Sequence, residues 1–148
     1  MLNKPQGLTS EEFEIMKTHT VKGADMLAGL DAYDEYPRFF RTACEICRWH
    51  HERWDGGGYP DGLKGEQIPI SAQVVSLADT YDALTSERVY KSALPHERAM
   101  EMILHGECGE FNPLLIECLK ESSDRIAEEV KKSAGEFSPP PQTVARKR

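Results

Sequence analysis

This 148-residue chain has no long apolar run, no excess of basic residues and few cysteines. Without an apolar run of about 20 residues it offers no candidate for a membrane-spanning helix, so we expect no membrane insertion. The segment from Met1 to Gly7 lacks the sections of a signal peptide, which favours a cytoplasmic location. With 18 basic and 25 acidic residues the formal charge is -7, the wrong sign for general binding to nucleic-acid phosphates, so no DNA partner is expected.

The four cysteines are too few to suggest a disulfide framework, and a reducing compartment disfavours one. Cys108 and Cys118 are interpreted as small core residues. The Cys44-x-x-Cys47 pair raises the alternative of a redox or zinc site. Without a second such pair or a βαβ pattern, packing inside a helix is the favoured interpretation of these two residues.

Strands and repeats are also missing from the pattern, which is helical along most of the chain and predicts an all-α fold of about five helices. Thr9 and Glu12 have the spacing of a capping box, so a first helix is predicted from here to about Leu30. Prolines in first-turn positions and an Asn-Pro cap mark the others. The predicted helices start near Pro37, after Pro69, after Pro95 (ending near Gly106) and at Asn112-Pro113.

The C-terminal stretch differs in composition from the rest of the chain. From Ser133 onward it has three prolines, a terminal basic cluster and little core-forming material. We therefore expect one domain over residues 1–132 and a flexible tail over residues 133–148.

Histidines occupy two of the predicted helices. His19 lies three residues after Met16 on the apolar stripe of the first helix and is expected to face the interior. His50 lies on the apolar stripe of the second helix, and His51 follows it, about 100° further around. Two interpretations stay open: each imidazole is separately satisfied by hydrogen bonds in the core, or the three share a ligand.

Two carboxylates are predicted on the buried side of the third helix. Asp79 and Asp82 share a face with Ala72 and Val75. Because a buried, unpaired carboxylate is costly, a bound cation is one way to hold it there. Three histidines and Asp79 would suit a divalent transition metal such as iron, manganese or zinc.

A glycine-rich loop follows the paired histidines. It runs from Asp55 to Gly65 and contains the tripeptide Gly58-Tyr59-Pro60. Such a loop brings backbone close to a ligand or simply turns the chain between two helices. It has neither the phosphate-loop nor the dinucleotide-fingerprint spacing.

Three segments together resemble the HD-GYP family of bacterial metal-dependent phosphodiesterases. The run "HHERWDGGGYPDGLKGEQIP", which starts at His50, resembles the family signature. "LTSEEFEIMKTHTVKGADML" and "LADTYDALTSERVYKSAL" resemble the segments before and after it. The resemblance implies an all-α bundle of the HD-domain type and covers nearly all of the predicted domain.

The resemblance also implies a set of site residues. The implied metal ligands are His19, His50, His51 and Asp79, in a site that holds two or three metal ions, most often iron or manganese. The implied substrate-binding residues are Asp82, Arg88, Lys91 and Tyr59.

The activity implied by the family is hydrolysis of cyclic di-GMP to the linear dinucleotide pGpG, to GMP, or to both. A metal-bound water is the implied nucleophile, with Asp82 as a proton-transfer group. The loop Gly58, Tyr59 and Pro60 is implied at the mouth of the site and in docking to a GGDEF-domain protein.

One family motif is missing. The family's first half carries further ligands in a His-Asp-x-Gly-Lys motif, and none of the five histidines here precedes an aspartate. We therefore expect this chain to correspond to the latter two-thirds of the family domain, a partial HD-GYP domain. Two hypotheses remain: a phosphodiesterase that is active in the intact protein, or a non-catalytic module that binds cyclic di-GMP or a GGDEF partner.

Some polar residues and one apolar face are given other roles. His96 and His105 are interpreted as solvent-facing residues at helix ends, and Glu52 as an exposed helix-end acid, with orientation of an imidazole as its alternative role. The last helix offers apolar side chains for internal packing or for a homodimer. They are Leu114, Leu115, Cys118, Leu119 and Ile126.

Overall fold

A computed structural model describes residues 7–29, 36–87 and 92–136 of the chain. In these three ranges the regular structure is helical throughout, so the all-α prediction is confirmed. No helix in them is both long enough and apolar enough to cross a bilayer. The elements are α1 (Ser10–Ala28), α2 (Pro37–Trp49), a 3₁₀ turn (Gly65–Gln67), α3 (Ile70–Thr85), α4 (His96–Leu104), α5 (Pro113–Glu121) and α6 (Ser123–Glu136).

The predicted helix starts are confirmed. Thr9 caps α1 through a complete capping box: its Oγ1 accepts from the backbone N–H of Glu12 at 3.2 Å, and its own N–H donates to Glu12 Oε2 at 2.8 Å. Asn112 caps α5 by accepting from the N–H of Leu114 at 2.9 Å. α2 starts at Pro37, and α3 and α4 start directly after Pro69 and Pro95.

The predicted single last helix is wrong, because the chain breaks at Ser122 into α5 and α6. The break lies at two consecutive serines, whose hydroxyls compete for hydrogen bonds that a helix interior would use. Ser123 Oγ lies 2.9 Å from Nε2 of His96, and the Nδ1 atom of that ring lies 2.7 Å from the Tyr81 hydroxyl. The solvent-facing prediction for His96 is therefore wrong, whereas His105 is exposed as expected.

The last helix also extends beyond the predicted domain boundary. It continues to Glu136, past residue 132, where the folded part was expected to end. The first proline after the start of α6 is Pro139, so no proline interrupts this helix before Glu136. Residues 137–148, which make up most of the predicted tail, lie outside the described residues.

The main core lies where α3, α4 and α5 meet. Cys108 packs against this core as predicted. Cys118 is exposed, which corrects the prediction that it is a core residue. It precedes the buried Leu119 by one residue and so lies about 100° around α5 from the buried position. The core residues are Leu77, Tyr81, Leu84, Ala99, Met100, Ile103, Phe111 and Leu119.

The helices α1 and α2 pack through small side chains. The buried residues of α1 are Thr20 and Ala24, and a Cβ on Gly23 would lie 3.6 Å from Cys47. Cys44 Sγ contacts the carbonyl oxygen of Ala24 at 3.7 Å, so both thiols of the Cys-x-x-Cys pair lie at this interface. The favoured interpretation of that pair as packing residues agrees with these contacts.

His19 lies beside the buried face of α1 and not on it. His19, predicted to face the interior, is exposed. Phe13, an apolar residue of the same helix, is 43% exposed. The buried positions are Thr20, the residue after His19, and Ala24, because small side chains let α1 and α2 approach closely. The imidazole of His19 therefore lies at the edge of the α1–α2 contact.

Candidate metal centre and the loop beside it

The structure brings together three of the predicted site residues, His19, His50 and His51. One ligand nitrogen from each ring lies within 4.8 Å of the other two. His19 comes from the middle of α1, His50 caps the C-terminal end of α2, and His51 is the next residue. His19 and His50 are 31 residues apart in the sequence, and the packing of α1 on α2 brings their side chains into contact.

Backbone carbonyls orient two of the imidazoles. Nδ1 of His19 lies 2.6 Å from the carbonyl oxygen of Met16, and Nδ1 of His50 lies 2.8 Å from that of Ile46. A carbonyl oxygen only accepts, so each Nδ1 carries a proton, and in the neutral ring Nε2 carries the lone pair. Metal-binding histidines are commonly held in this way.

The two Nε2 atoms of His19 and His50 face one another at 3.4 Å. Two lone pairs at this distance repel unless a proton or a cation lies between them. Two nitrogen ligands, each about 2.1 Å from one metal in tetrahedral coordination, would lie about 3.4 Å apart. The observed spacing therefore fits a shared divalent ion.

The third imidazole, His51, is neutral at physiological pH. Burial is the main cause that lowers the pKa of His51 to about 3, and the neighbouring His50 and His19 add to the effect. Its ring centroid lies 4.1 Å from that of His50 and 5.1 Å from that of His19. A neutral imidazole keeps a lone pair for a metal, so this shift agrees with the ligand role.

Asp79 lies outside the three-histidine cluster. The prediction that Asp79 and Asp82 face the buried side of α3 is wrong, because both are exposed. The buried side of α3 includes polar residues that the apolar pattern missed: Gln73, Ser76 and Thr80. Asp79 still acts electrostatically on the loop: burial lowers the pKa of Arg53 and the charge of Asp79 partly offsets this, whereas burial raises the pKa of Tyr59 and Asp79 adds to that rise.

The remaining predicted substrate residues are only partly described. Asp82 Oδ1 accepts a hydrogen bond from the Ser86 hydroxyl at 2.9 Å, at the C-terminal end of α3. Arg88 and Lys91 lie outside the described residues.

Tyr59 connects the glycine-rich loop to the histidines. Its ring stacks on His51 with centroids 4.7 Å apart and planes at 29°, and its N–H donates to the His51 carbonyl at 3.2 Å. Phe13 meets it edge-on at 6.1 Å, and Lys17 Nζ lies 5.6 Å from the ring centroid. Burial raises the pKa of the Tyr59 hydroxyl, which therefore stays protonated at neutral pH.

Gly58 permits this approach of the loop to the end of α2. A Cβ on Gly58 would lie 2.4 Å from both the backbone nitrogen of Arg53 and Cα of Glu52. No side chain fits at that distance, so a residue with a Cβ would push the loop away from the histidines. The peptide bond between Tyr59 and Pro60 is cis.

Glu52 lies beneath the loop, and the prediction of an exposed helix-end acid is wrong. It is 2% exposed. Its Oε1 accepts from the backbone N–H groups of Asp61 at 2.8 Å and Gly62 at 3.0 Å, and its Oε2 accepts from that of Leu63 at 3.1 Å. Because α2 ends at Trp49, the chain has already turned at Glu52, and the side chain points under the loop.

Arg53 anchors the same segment to the main core. Its Nη1 donates to Ser76 Oγ at 2.6 Å, its Nε donates to the Cys108 carbonyl at 3.3 Å, and its guanidinium lies 5.1 Å from the Phe111 ring centroid. Burial lowers the pKa of Arg53. Sequence reasoning missed Arg53 and the hydrogen bonds of Glu52 to the loop backbone, since burial within a loop does not follow from helix periodicity.

Comparison with known families agrees with this geometry. Residues 1–111 match the model of a family described as HD domain. The chain belongs to the HD domain family. Within it, the relatives described next confirm the resemblance to the HD-GYP group.

Three curated relatives of this HD domain are phosphodiesterases by name. A cyclic di-GMP phosphodiesterase of Vibrio cholerae is 46% identical over 117 residues, 79% of this chain. A cyclic di-GMP phosphodiesterase of Thermotoga maritima is 41% identical over 130 residues, 86% of this chain. A 3'3'-cGAMP-specific phosphodiesterase 2 of Vibrio cholerae is 37% identical over 126 residues, 85% of this chain.

These relatives are much longer proteins than this chain. The matched part spans 24%, 33% and 23% of their respective lengths. The comparisons therefore concern the stretch that contains the three histidines and the glycine-rich loop, and not the whole length of any of these relatives.

Proposed function

We propose that this HD domain is part of a metal-dependent phosphodiesterase that hydrolyses cyclic di-GMP to linear pGpG, to GMP, or to both, in bacterial signalling. The observation that carries the proposal is the pair of Nε2 atoms of His19 and His50, 3.4 Å apart, each on a ring whose Nδ1 contacts a carbonyl. The names of the curated relatives support the same chemistry.

The proposed metal ligands are His19, His50, His51 and Asp79. Three imidazoles and a carboxylate suit iron or manganese, which are the metals we propose, with two or three ions in the complete site. Asp79 would join the cluster by moving its exposed side chain toward it. Its electrostatic effect on Arg53 and Tyr59 supports this placement.

Divalent metal, when bound, would polarise the phosphodiester and supply a nucleophile from water at neutral pH. The protein's own groups would orient the substrate. We propose Tyr59, in the loop Gly58, Tyr59 and Pro60, at the mouth of the site, with Arg88 and Lys91 on phosphate or guanine edges. Asp82 would transfer a proton once the hydrogen bond that it accepts from the Ser86 hydroxyl is broken.

Incubation of the chain with cyclic di-GMP tests this proposal. The protein is purified without oxygen, supplied with Fe²⁺ or Mn²⁺, and its products are followed by chromatography. We expect conversion to pGpG or GMP, lost in His50→Ala and retained in His105→Ala. The His105 variant is a matched control, because His105 is an exposed imidazole outside the metal cluster.

The outcome separates the two functional classes. Intact substrate in the presence of bound metal would contradict catalysis by this chain. The chain would then be either a fragment of an enzyme that is active only in the intact protein, or the alternative, a non-catalytic module that binds the dinucleotide or a GGDEF partner.

Substrate choice needs a second arm, because one relative is named for a different cyclic dinucleotide. Parallel reactions with cyclic di-GMP and 3'3'-cGAMP at equal concentration compare kcat/KM for the two. We expect cyclic di-GMP to be preferred. A higher kcat/KM for 3'3'-cGAMP would contradict that choice while leaving the reaction class intact.

Two protein partners and a location complete the proposal. We propose that the Gly58, Tyr59 and Pro60 loop docks a GGDEF-domain protein and that the chain acts in the cytoplasm, where its four free cysteines would stay reduced.

We also propose a homodimer, supported by an apolar groove of about 330 Å³ between α3 and the α5–α6 pair. A clean monomer in light scattering would contradict the dimer.

A further inference from the structure

The buried carboxylate of Glu52 is used entirely within the glycine-rich loop. Its two oxygens receive three backbone N–H groups, those of Asp61, Gly62 and Leu63. These donors lie nine to eleven residues further along the chain. Glu52 therefore closes residues 52–63 into a ring from the inside. Hydrogen bonds to a charged acceptor are stronger than neutral ones, so the closure is firm.

The ring closed by Glu52 determines where Tyr59 lies. On one side of Tyr59, Gly58 is in contact with the backbone of residues 51–53. On the other side, the three donors to Glu52 begin two residues later, at Asp61. Tyr59 is thus held between two fixed points, with its N–H on the His51 carbonyl and its ring on the His51 ring.

We propose that Glu52 is a positioning residue for the metal centre. By fixing the loop, it keeps the Tyr59 ring stacked on His51 and thereby directs the His51 lone pair toward His19 and His50. Nδ1 of each of those two rings has a carbonyl partner, whereas the described contacts of the His51 ring are with aromatic rings. This inference rests on the proposed metal-binding function.

A metal titration of the purified chain tests the role of Glu52 without substrate. Co²⁺ is added and its visible absorption is followed to obtain Kd. Glu52→Gln keeps the side-chain volume but replaces one acceptor oxygen by an amide NH₂. This group is itself a donor and would face at least one of the three backbone N–H donors. We expect Co²⁺ to bind about tenfold more weakly, as for other outer partners of metal ligands.

Two controls separate positioning from loss of charge or of stability. Glu45→Gln also removes a carboxylate charge from the α2 region, where Glu45 pairs with the exposed Arg41. Ile103→Val weakens the core around a residue that is 2% exposed, away from the loop. We expect both variants to bind Co²⁺ as the unaltered chain does. A loss in Ile103→Val equal to that in Glu52→Gln would assign Glu52 a merely structural role and overturn the inference.

A double-mutant cycle with Tyr59→Leu tests the proposed route through the aromatic stack. If Glu52 acts by placing Tyr59, removing the ring should weaken Co²⁺ binding by itself, and adding Glu52→Gln should then cost little more. If the fold-changes in Kd for Co²⁺ caused by the two single substitutions multiply in the double variant, the inference is overturned.

The result for the unaltered chain distinguishes this inference from the proposed function. No Co²⁺ binding by the unaltered chain would overturn the metal centre and, with it, the role of Glu52. Binding that is the same in the unaltered chain and in Glu52→Gln would overturn only the role of Glu52.

Discussion

At the scale of the single residue, the loop beside the histidines depends on a glycine with no room for a side chain. In Gly58→Ala the new Cβ would meet backbone atoms of Glu52 and Arg53 at 2.4 Å, and these cannot rotate away. We expect a loss of about 1–3 kcal/mol in the free energy of unfolding, typical of overpacking. Weaker Co²⁺ binding should accompany it, because Tyr59 is displaced from His51.

Gly57→Ala is the matched control for that substitution. Its Cβ would contact only the Asp55 carboxylate, at 3.1 Å, and that side chain can move. Urea unfolding and a Co²⁺ titration of both variants make the comparison. Equal effects of the two substitutions would contradict the close approach at Gly58.

Asp61 gives a prediction of pH dependence. Hydrogen bonds from Arg48, and then from Trp49, hold the pKa of Asp61 below its ordinary value. Since the folded-state pKa is lowered, the unfolded chain binds the proton more readily. The stabilisation is therefore complete above the ordinary pKa of about 3.9 and is lost as the pH falls through the folded-state pKa.

The stability difference between the unaltered chain and Asp61→Asn measures this effect. We expect a positive gap in the free energy of unfolding at neutral pH, which narrows below about pH 4. The gap should be about 1 kcal/mol or less, because the side chains of Arg48 and Asp61 are 32% and 33% exposed. A gap that stays constant into strong acid, or one that persists in an Arg48→Met background, would argue against the ion pair.

At the scale of the elements, Arg53 joins the loop to α3 and to the turn between α4 and α5. Arg53→Lys keeps the charge but loses the fork that reaches Ser76 Oγ and the Cys108 carbonyl together. We expect destabilisation of about 1–3 kcal/mol in thermal or urea unfolding, because hydrogen bonds from a charged, partly buried donor are lost.

Arg41→Lys is the control for Arg53→Lys. Arg41 forms an ion pair with Glu45 on α2, and its side chain is 81% exposed. Exposed pairs of this kind contribute little, so the stability should change by less than about 0.5 kcal/mol. Similar losses in both variants would show that Arg53 is not an anchor.

At the scale of the whole molecule, bound metal should stabilise the fold. His19 comes from α1 and His50 ends α2, so one ion would hold the two helices together. A ligand that binds only the folded state at a hundred times its Kd adds about 2.7 kcal/mol. We therefore expect Tm to rise with Mn²⁺ or Co²⁺ and to fall again with a chelator.

The histidine variants test whether the rise in Tm comes from metal bound at the three-histidine cluster. The rise in Tm should disappear in His50→Ala and persist in His105→Ala, since only His50 belongs to the three-histidine cluster. An equal rise in both variants would place the stabilising ion elsewhere on the protein.

Local sequence patterns predicted the helical class, most helix starts and the three histidines of the cluster. These depend on local chemistry: a capping box at Thr9, a cap at Asn112 and first-turn prolines act within a few residues of themselves. The family motif then picked out the histidines next to the loop. Such features need no knowledge of distant contacts.

Long-range packing sets which helix faces are buried and how the loop is held. Packing of α1 on α2 through small residues left His19 exposed at the contact edge, where it meets His50 and His51. The turn after Trp49 carried Glu52 under the loop, and contacts with α3 and with the segment between α4 and α5 partly buried Arg53. Burial in a loop is set by residues far along the chain, so helix periodicity could not predict it.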